Sequence, residues 1–380
     1  MIYLDNAATT YPKPETVYQS VDFAQRSLAV NVGRGSYPLA SRAAGVVDET
    51  RVLLASLVGA DGPQSVVFTP SATLAANEII FGLEWDTLKN VYLSPFEHNA
   101  IARPLHKLCL ENGVRERFIP FDPKTHLWDK METERLFHAA PPDYVFLNHV
   151  SNVTGTIVPV EEIAEIAKSF GATVIVDGSQ SVGLIDYHLR NKAIDFLIFA
   201  GHKNLYSSFG VGGWISNGSI KLKSHLAGGT GSDSLNLSMS DKQPIGFEPG
   251  SPNIIAIASL NSSLKWLHEI GCAAIERKKR LLINKLTEGL SHLPVKAYLP
   301  GAGGGPTSVV SFTHPEYEAN EIGTILSLDY DIAVRTGYHC APYIHDFIGT
   351  TERNGTVRVS VGYFNTEEDI DVLLRALAEI

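Results

Sequence analysis

Residues 196–203 read Phe196-Leu197-Ile198-Phe199-Ala200-Gly201-His202-Lys203, so an apolar run stands directly before a short turn that ends in a lysine. A continuous apolar run of this kind is typical of a strand that is buried on both faces of a parallel sheet. In open α/β sheets, ligand sites lie just beyond the carboxyl ends of such strands. The sequence therefore predicts that Lys203 lies at a ligand site.

Similar apolar runs recur along the chain and predict further buried strands. They cover residues 65–69, 90–93, 144–148, 173–176 and 211–215. Helical patterns lie between several of them, for example over 41–58 and over 160–170, where the second pattern opens after a proline with two acidic residues. This alternation of strands and helices predicts an α/β fold with a large, doubly wound, mostly parallel sheet.

The pattern changes after residue 255. We predict a long helical stretch over 254–293, a glycine-rich break at 301–305, and alternating strands at 308–313 and 356–361. These elements indicate a smaller α+β domain. We therefore expect a large domain formed by residues 15–255 and a small domain formed by residues 1–14 and 256–380.

Composition narrows the functional classes. The formal net charge of −10 provides no basic stripe, so no nucleic-acid partner is expected. No apolar run approaches the roughly 20 residues that span a bilayer, and the first residues do not resemble a signal peptide, so no membrane association is expected. Three cysteines in 380 residues are not a disulfide framework, which favours a reducing compartment, the cytosol.

Four residues near predicted strand ends fit pyridoxal 5'-phosphate (PLP). Lys203 suits Schiff-base formation, because a lysine near apolar surface loses part of its preference for the charged form. Asp177 ends the run 173–176 and could face the protonated ring nitrogen of PLP. Gln180 could reach the phenolic oxygen, and the imidazole of His98 could lie on the ring. Each also has an ordinary structural explanation, such as a solvated loop lysine or a helix cap.

A phosphate site requires amides and hydroxyls at the start of a helix. The stretch 69–74 leaves a predicted strand and enters a predicted helix, and its small residues would let the backbone close on an anion. Thr73 supplies a hydroxyl. Small residues at a helix start are common, so this pattern does not by itself distinguish a phosphate site from an ordinary helix cap.

Six strings occur together in this order. They are Tyr3-Leu4-Asp5-Asn6-Ala7-Ala8-Thr9-Thr10, Glu97-His98, Ser151-Asn152-Val153-Thr154-Gly155-Thr156, Val176-Asp177-Gly178-Ser179-Gln180, Gly201-His202-Lys203 and Arg335-Thr336-Gly337-Tyr338-His339-Cys340-Ala341. As an ordered set over essentially the whole chain, they resemble the class V aminotransferase-like PLP enzymes of the cysteine desulfurase and selenocysteine lyase family, which have the aspartate aminotransferase fold (fold type I).

The resemblance implies a role for each matching residue. Lys203 would carry PLP covalently, with Asp177 on the ring nitrogen, Gln180 on the phenolic oxygen and His98 stacked on the ring. Asn152 would lie beside cofactor and substrate, and the phosphate would be held by Ala72, Thr73 and His202. The segment 247–253 matches one that the family's partner subunit contributes, so a homodimer with shared active sites is implied, with Ser251 acting in trans.

The predicted sulfur chemistry depends on Cys340. Its thiol lies in a loop with Arg335 and His339, where positive charge can favour the thiolate. Cys109 and Cys272 lie in apolar helical patterns and fit the role of small buried hydrophobes. The resemblance makes Cys340 the acceptor of the sulfur.

Arg358 lies in an alternating strand pattern, and an arginine that faces inward needs an anion. By the resemblance it would hold the substrate carboxylate, although a surface strand charge is the alternative. Arg335 could support the Cys340 loop or reach the substrate, or it could form an ordinary salt bridge.

The expected activity is therefore conversion of L-cysteine to L-alanine with a persulfide on Cys340. The segment between Arg335 and Ala341 resembles relatives with a short cysteine loop, so a sulfur-acceptor protein or small thiol would have to come to the pocket. L-selenocysteine is the alternative substrate, a PLP carbon–sulfur lyase is a second enzyme alternative, and a non-catalytic relative of the fold is a third.

Ala200 departs from the family, which usually has Ser or Thr three residues before the lysine. One phosphate hydrogen bond should be missing, a loss of roughly 1 to 3 kcal/mol if nothing replaces it. We predict that Ala200→Ser tightens PLP binding, measured by titrating cofactor-free protein with PLP. An unchanged or weaker dissociation constant would count against this phosphate-site hypothesis.

Overall fold

The computed structural model describes residues 1–32, 35–86, 89–231, 235–301 and 307–380. Its strands, in chain order, are β1 Ile2–Tyr3, β2 Val66–Thr69, β3 Val91–Leu93, β4 Glu116–Phe118, β5 Tyr144–Asn148, β6 Thr173–Asp177, β7 Phe196–Ala200, β8 Gly212–Ser216, β9 Lys296–Tyr298, β10 Val309–Thr313, β11 Ile332–Ala333, β12 Arg335–Gly337 and β13 Thr356–Ser360.

The helices of the described ranges follow the same order. They are α1 Glu15–Ser27, α2 Pro38–Leu57, α3 Ala72–Gly82, α4 Asn99–Asn112, α5 Lys130–Ala139, α6 Val160–Ser169, α7 Ile254–Ile270, α8 Cys272–Leu290, α9 Ala319–Asp329, α10 Pro342–Phe347 and α11 Glu367–Glu379.

The large sheet has the strand order β2-β8-β7-β6-β5-β3-β4 within the described ranges. The pairs from β7 through β6, β5 and β3 to β4 are parallel, and β8 pairs antiparallel with both β2 and β7. Every residue of β5, β6 and β7 is buried, as the apolar runs predicted. The predicted α/β class and mostly parallel sheet are confirmed.

The second sheet is antiparallel, with the order β12-β13-β10-β9, and a short parallel pair joins β1 to β11. The strands predicted at 308–313 and 356–361 correspond to β10 and β13. Residues 302–305 of the predicted glycine-rich break lie outside the described residues. The main-chain N–H of Leu4 donates to Ala333 and that of Ser360 donates to Leu4, so the N-terminal segment packs on the second sheet. The proposed domain division stays a prediction.

The helical stretch predicted over 254–293 consists of two helices, α7 and α8, which cover it up to Leu290. Gly271 lies between them with a φ of +83°, a conformation that favours glycine, and its N–H closes α7 on the carbonyl of Leu267 at 2.8 Å. The hydrophobic period continues across this break, which is why periodicity alone missed it.

The order of the large sheet brings several chain segments to one edge. Asp177 is the last residue of β6, Lys203 follows β7, and His98 precedes α4 just after β3. The carboxyl ends of neighbouring parallel strands share one edge, so these side chains can meet although they lie far apart in sequence.

Gly355 tests the packing of the hairpin that leads to Cys340. Its φ is +94°, and a Cβ there would lie 2.2 Å from the carbonyl oxygen of Gly337. Gly355→Ala should lower the free energy of unfolding by more than the roughly 1–3 kcal/mol that backbone strain alone costs, measured by denaturant unfolding. Gly349→Ala is the matched control, because Gly349 also has positive φ but has open space around its Cβ position. Equal losses for the two variants would contradict the clash.

Candidate active site

A cavity of about 190 Å³ lies at the carboxyl edge of the large sheet. Nine of the residues predicted for the site line it: Ala72, Thr73, His98, Asn152, Asp177, His202, Lys203, Arg335 and Arg358. Six further residues line the wall: Ala7, Ala8, Ser71, Ala100, Ser179 and Ala200. Ser71 and Ala200 belong to the predicted phosphate site, whereas sequence analysis gave no role to the other four. The N-terminal pair follows β1, and its place became visible only through long-range packing.

Lys203 has an environment that favours the neutral amine. Burial lowers its pKa from 10.5 to about 8; the nearby Asp177 carboxylate opposes this shift, and Arg358 and Arg335 reinforce it. Its backbone carbonyl accepts a hydrogen bond from the hydroxyl of Thr10 at 3.1 Å. The lysine is therefore held by the N-terminal segment and is close to nucleophilic at neutral pH.

Asp177 is buried and ends β6. Its Oδ1 accepts a hydrogen bond from the backbone N–H of Ser179 at 2.9 Å, which fixes the carboxylate at the cavity wall. The turn after Asp177 packs tightly, because a Cβ on Gly178 would lie 2.9 Å from the carbonyl oxygen of Ile198. The acid is thus a fixed negative charge beside Lys203.

His98 begins α4 and also faces the cavity. Its Nδ1 accepts a hydrogen bond from the backbone N–H of Ala100 at 3.0 Å, which leaves the proton of the neutral ring on Nε2. Burial, reinforced by the charge of Lys203, lowers the pKa of His98 to about 4. The ring is therefore neutral at physiological pH and offers a flat face.

Glu97 holds two strand ends together from behind His98. Its Oε1 accepts hydrogen bonds from the hydroxyl of Ser94 at 2.6 Å and from the backbone N–H of Asn148 at 2.7 Å. Burial raises the pKa of Glu97 to about 8, with a further contribution from Asp177. The acid is therefore mostly protonated at neutral pH and links β3 to β5 as a neutral group.

Arg358 reaches the cavity from β13 of the second sheet and is 1% exposed. One terminal nitrogen donates to Asp5 Oδ1 at 2.5 Å, and the other donates to the carbonyl of Asn152 at 3.0 Å. Its Nε has no hydrogen-bond partner. Sequence analysis missed Asp5, although an inward-facing arginine itself signals that a carboxylate is nearby.

Cys340 lies beside the cavity rather than on its wall. A terminal nitrogen of Arg335, a wall residue, donates to the sulfur of Cys340 at 3.1 Å. The thiol faces a separate open groove of about 840 Å³ between α4 and α10. Arg335 therefore contacts both the cavity and the thiol, and the sulfur is not sealed away.

The backbone around Cys340 is strained. His339 and Cys340 have φ angles of +50° and +58°, which non-glycine residues rarely adopt. His339 Nε2 lies 2.9 Å from the hydroxyl of Thr356, and the carbonyl of Cys340 accepts from the N–H of Asn99 at 2.7 Å. These bonds hold the loop, and strain of this kind clusters at functional sites.

Besides Cys340, two predicted residues lie away from the wall. Gln180 is buried behind it, where its Nε2 donates to the carbonyl of Ala7 at 2.8 Å. Ser251 is exposed and accepts a hydrogen bond from Asn31 Nδ2 at 3.0 Å, in a different recess from the cavity. Its action on the site of a partner subunit stays a prediction.

The other cysteines fit structural roles. Burial raises the pKa of the Cys109 thiol to about 12 and that of the Cys272 thiol to about 11. Thiols that resist ionisation are poor nucleophiles. Cys340 is thus the cysteine with a position suited to chemistry.

The cavity fits a polar anionic group such as PLP. Four buried polar atoms of wall residues have no hydrogen-bond partner: Asn152 Oδ1, Ser179 Oγ, His202 Nδ1 and Arg358 Nε. Buried polar atoms without partners are costly, and a polar ligand would satisfy them. The start of α3, capped by the Ser71 hydroxyl, also faces the cavity and can bind a phosphate.

No cluster of three or more potential metal ligands occurs among the residues that the structure describes. In the same residues, no helix combines the length and the apolar character needed to cross a membrane.

Comparison with known proteins agrees with this geometry. The model of the class-V aminotransferases matches residues 2–373. The chain belongs to the class-V aminotransferase family. A probable cysteine desulfurase from Pyrococcus abyssi is 31% identical to this chain over 387 residues. The aligned region covers 100% of this chain and 94% of the Pyrococcus abyssi protein. One from Aeropyrum pernix is 32% identical over 397 residues, with the same two coverages.

Solved structures of class-V aminotransferase relatives show the same fold. The apo cysteine desulfurase from Thermococcus onnurineus has a TM-score of 0.91 at 30% identity and covers 100% of this chain and 94% of its own. The cysteine desulfurase CsdA of Escherichia coli, in an S-sulfonic acid form, has a TM-score of 0.87 at 25% identity, with coverages of 99% and 94%.

The pKa of Lys203 can be measured in the cofactor-free form of this protein. Amine labelling followed by mass spectrometry should show modification of Lys203 that rises through a pH of about 8, since only the neutral amine reacts. Lys285 is the control, because its ion pair with Asp371 raises its pKa above the usual 10.5. Labelling of Lys203 with the pH dependence of Lys285 would contradict the shift.

Proposed function

We propose that this class-V aminotransferase is a PLP-dependent cysteine desulfurase, which converts L-cysteine to L-alanine and leaves a persulfide on Cys340. One observation carries the proposal. Lys203 and Asp177 line a cavity whose wall residue Arg335 donates a hydrogen bond to the sulfur of Cys340, so the amine and the thiol lie at neighbouring positions. The names of the relatives support the same reaction.

The cofactor would be held by residues at or just after the strand ends of the large sheet. Lys203 would bind it covalently, Asp177 would pair with the ring nitrogen, and His98 would offer the face of its neutral ring. Ala72, Thr73 and His202 would hold the phosphate, with Gln180 near the phenolic oxygen. The unpaired Nδ1 of His202 supports its part in this set.

The substrate would be held by Arg358 and Asn152, with Arg335 nearby. Arg358 is anchored by Asp5 yet keeps a free Nε–H, and the side-chain oxygen of Asn152 also lacks a partner. An arginine suits a planar carboxylate better than any other side chain. These groups can therefore orient an amino acid between Lys203 and Cys340.

Bound PLP supplies an electron sink for the carbanion chemistry of an amino acid. Lys203, whose pKa is about 8, can take the Cα proton of the substrate and later return a proton. The Cys340 thiolate attacks the substrate sulfur, so that the carbon–sulfur bond breaks and a sulfur–sulfur bond forms. The leaving carbon gains a proton, and cysteine plus thiol becomes alanine plus persulfide.

The open groove at Cys340 supports transfer to an acceptor that comes from outside. The hydrogen bonds that hold His339 and Cys340 to Thr356 and Asn99 oppose a large swing of this short loop. An acceptor protein or small thiol would therefore enter at the groove between α4 and α10. We further propose a homodimer with Ser251 serving the partner's site, and a cytosolic location.

Selenocysteine lyase is the second candidate, because selenium leaves carbon easily and the same wall residues would bind either substrate. A carbon–sulfur lyase that releases pyruvate and a non-catalytic relative are less well supported, since neither needs a thiol linked to the cavity. A product assay for alanine, sulfide and pyruvate, with cysteine and selenocysteine side by side, separates these activities.

We predict that Cys340→Ser abolishes alanine release from cysteine, because no thiol remains to accept the sulfur, while the visible absorbance of bound PLP persists. Lys203→Ala should abolish that absorbance as well. Cys272→Ser is the matched control and should keep full activity. Alanine release by Cys340→Ser at the parent rate would refute the persulfide mechanism.

A further inference from the structure

Lys279 is a buried lysine that the proposed reaction does not use. It lies on α8 and is 1% exposed. Lysines buried to this degree are usually paired with a carboxylate, yet no ion pair of Lys279 occurs among the described residues. Its Nζ instead donates to Asn204 Oδ1 at 2.5 Å and lies 5.6 Å from the ring centre of Tyr206. Burial lowers its pKa to about 7.

Asn204 connects this amine to the cavity. It is buried and directly follows Lys203 in the chain. Its Nδ2 donates to the carbonyl of Gln180 at 2.6 Å, and the side chain of Gln180 in turn donates to the carbonyl of Ala7 at 2.8 Å. Three hydrogen bonds therefore connect Lys279 on α8 to the cavity wall. They pass through Asn204 and Gln180 and end at Ala7.

The direction of these bonds explains the choice of lysine. A side-chain amide can turn over and exchange its oxygen and nitrogen, unless a partner distinguishes them. Lys279 can only donate, so it fixes the oxygen of Asn204 on its own side and the Nδ2 on the side of Gln180. The backbone carbonyl of Gln180 can only accept, so both partners specify the same orientation of the amide. An apolar residue at position 279 would leave the buried Oδ1 of Asn204 without a donor, and the amide would be held from one side alone.

We propose that Lys279 is a positioning residue that orients Asn204 and, through it, holds Gln180 and the turn after Asp177 in place for the cofactor. The effect on cofactor binding rests on the proposed function, whereas the effect on the turn does not. Lys279 does not line the cavity itself and acts on the cavity wall through Asn204.

The test compares Lys279→Met with Lys285→Met on the same helix, where Lys285 forms surface ion pairs with Asp371 and Glu367. Methionine keeps most of the side-chain volume and cannot donate. In cofactor-free protein, hydrogen exchange in residues 177–184 should be faster in Lys279→Met than in the parent and the control. The thermal unfolding midpoint should stay close to that of the parent, because removing a buried amine offsets the cost of leaving Asn204 Oδ1 without a donor.

PLP titration gives the second measurement. The dissociation constant for PLP should rise by roughly three- to tenfold in Lys279→Met, as expected for the loss of about one hydrogen bond. Asn204→Asp is the second variant, because it keeps an acceptor for Lys279 and cannot donate to Gln180. It should speed exchange in the same segment.

Unchanged exchange and PLP affinity in both variants would overturn the inference, as would a loss of exchange protection throughout the chain. If the parent binds no PLP, the proposed function fails, and the exchange measurement still decides whether Lys279 positions the turn.

Discussion

The pairing of Arg358 with Asp5 is the interaction on which the cavity depends. A buried guanidinium without its carboxylate costs about 3–5 kcal/mol, so the arginine of β13 requires the segment after β1 to lie against it. The other arm of Arg358 binds the carbonyl of Asn152, which belongs to the loop after β5. One side chain thereby joins the second sheet, the N-terminal segment and the large sheet around a shared space.

Local sequence pattern was enough to predict the strands that end at the cavity. The apolar runs at 173–176 and 196–199 indicated buried parallel strands, and the rule that ligands bind at strand ends placed Asp177 and Lys203 together before any contact was known. Both residues line one cavity in the structure. The resemblance extended this to Arg358 and Asn152, which no local pattern connects.

What could not be predicted is set by contacts between distant parts of the chain. Nothing near Asp5 in sequence indicates a partner 353 residues away, and the period of α8 marks Lys279 only as a position on a helix. The helix break at Gly271 was not predicted, because one glycine within a continuing period is compatible with a helix or with its end. The left-handed backbone at His339 and Cys340 has no sequence signature, since neither residue is glycine.

The buried acid Glu97 makes the free energy of unfolding depend on pH. Its pKa is about 8 in the folded chain and 4.5 as a free side chain, so the folded protein holds a proton that the unfolded chain releases. Stability from this acid is complete in acid solution and declines as pH rises from about 4.5 to about 8. Above that range a second anion would be forced beside Asp177, between the ends of β3 and β5. The connection that Glu97 makes between β3 and β5 thus depends on its protonated form, and the folded state should lose stability in basic solution.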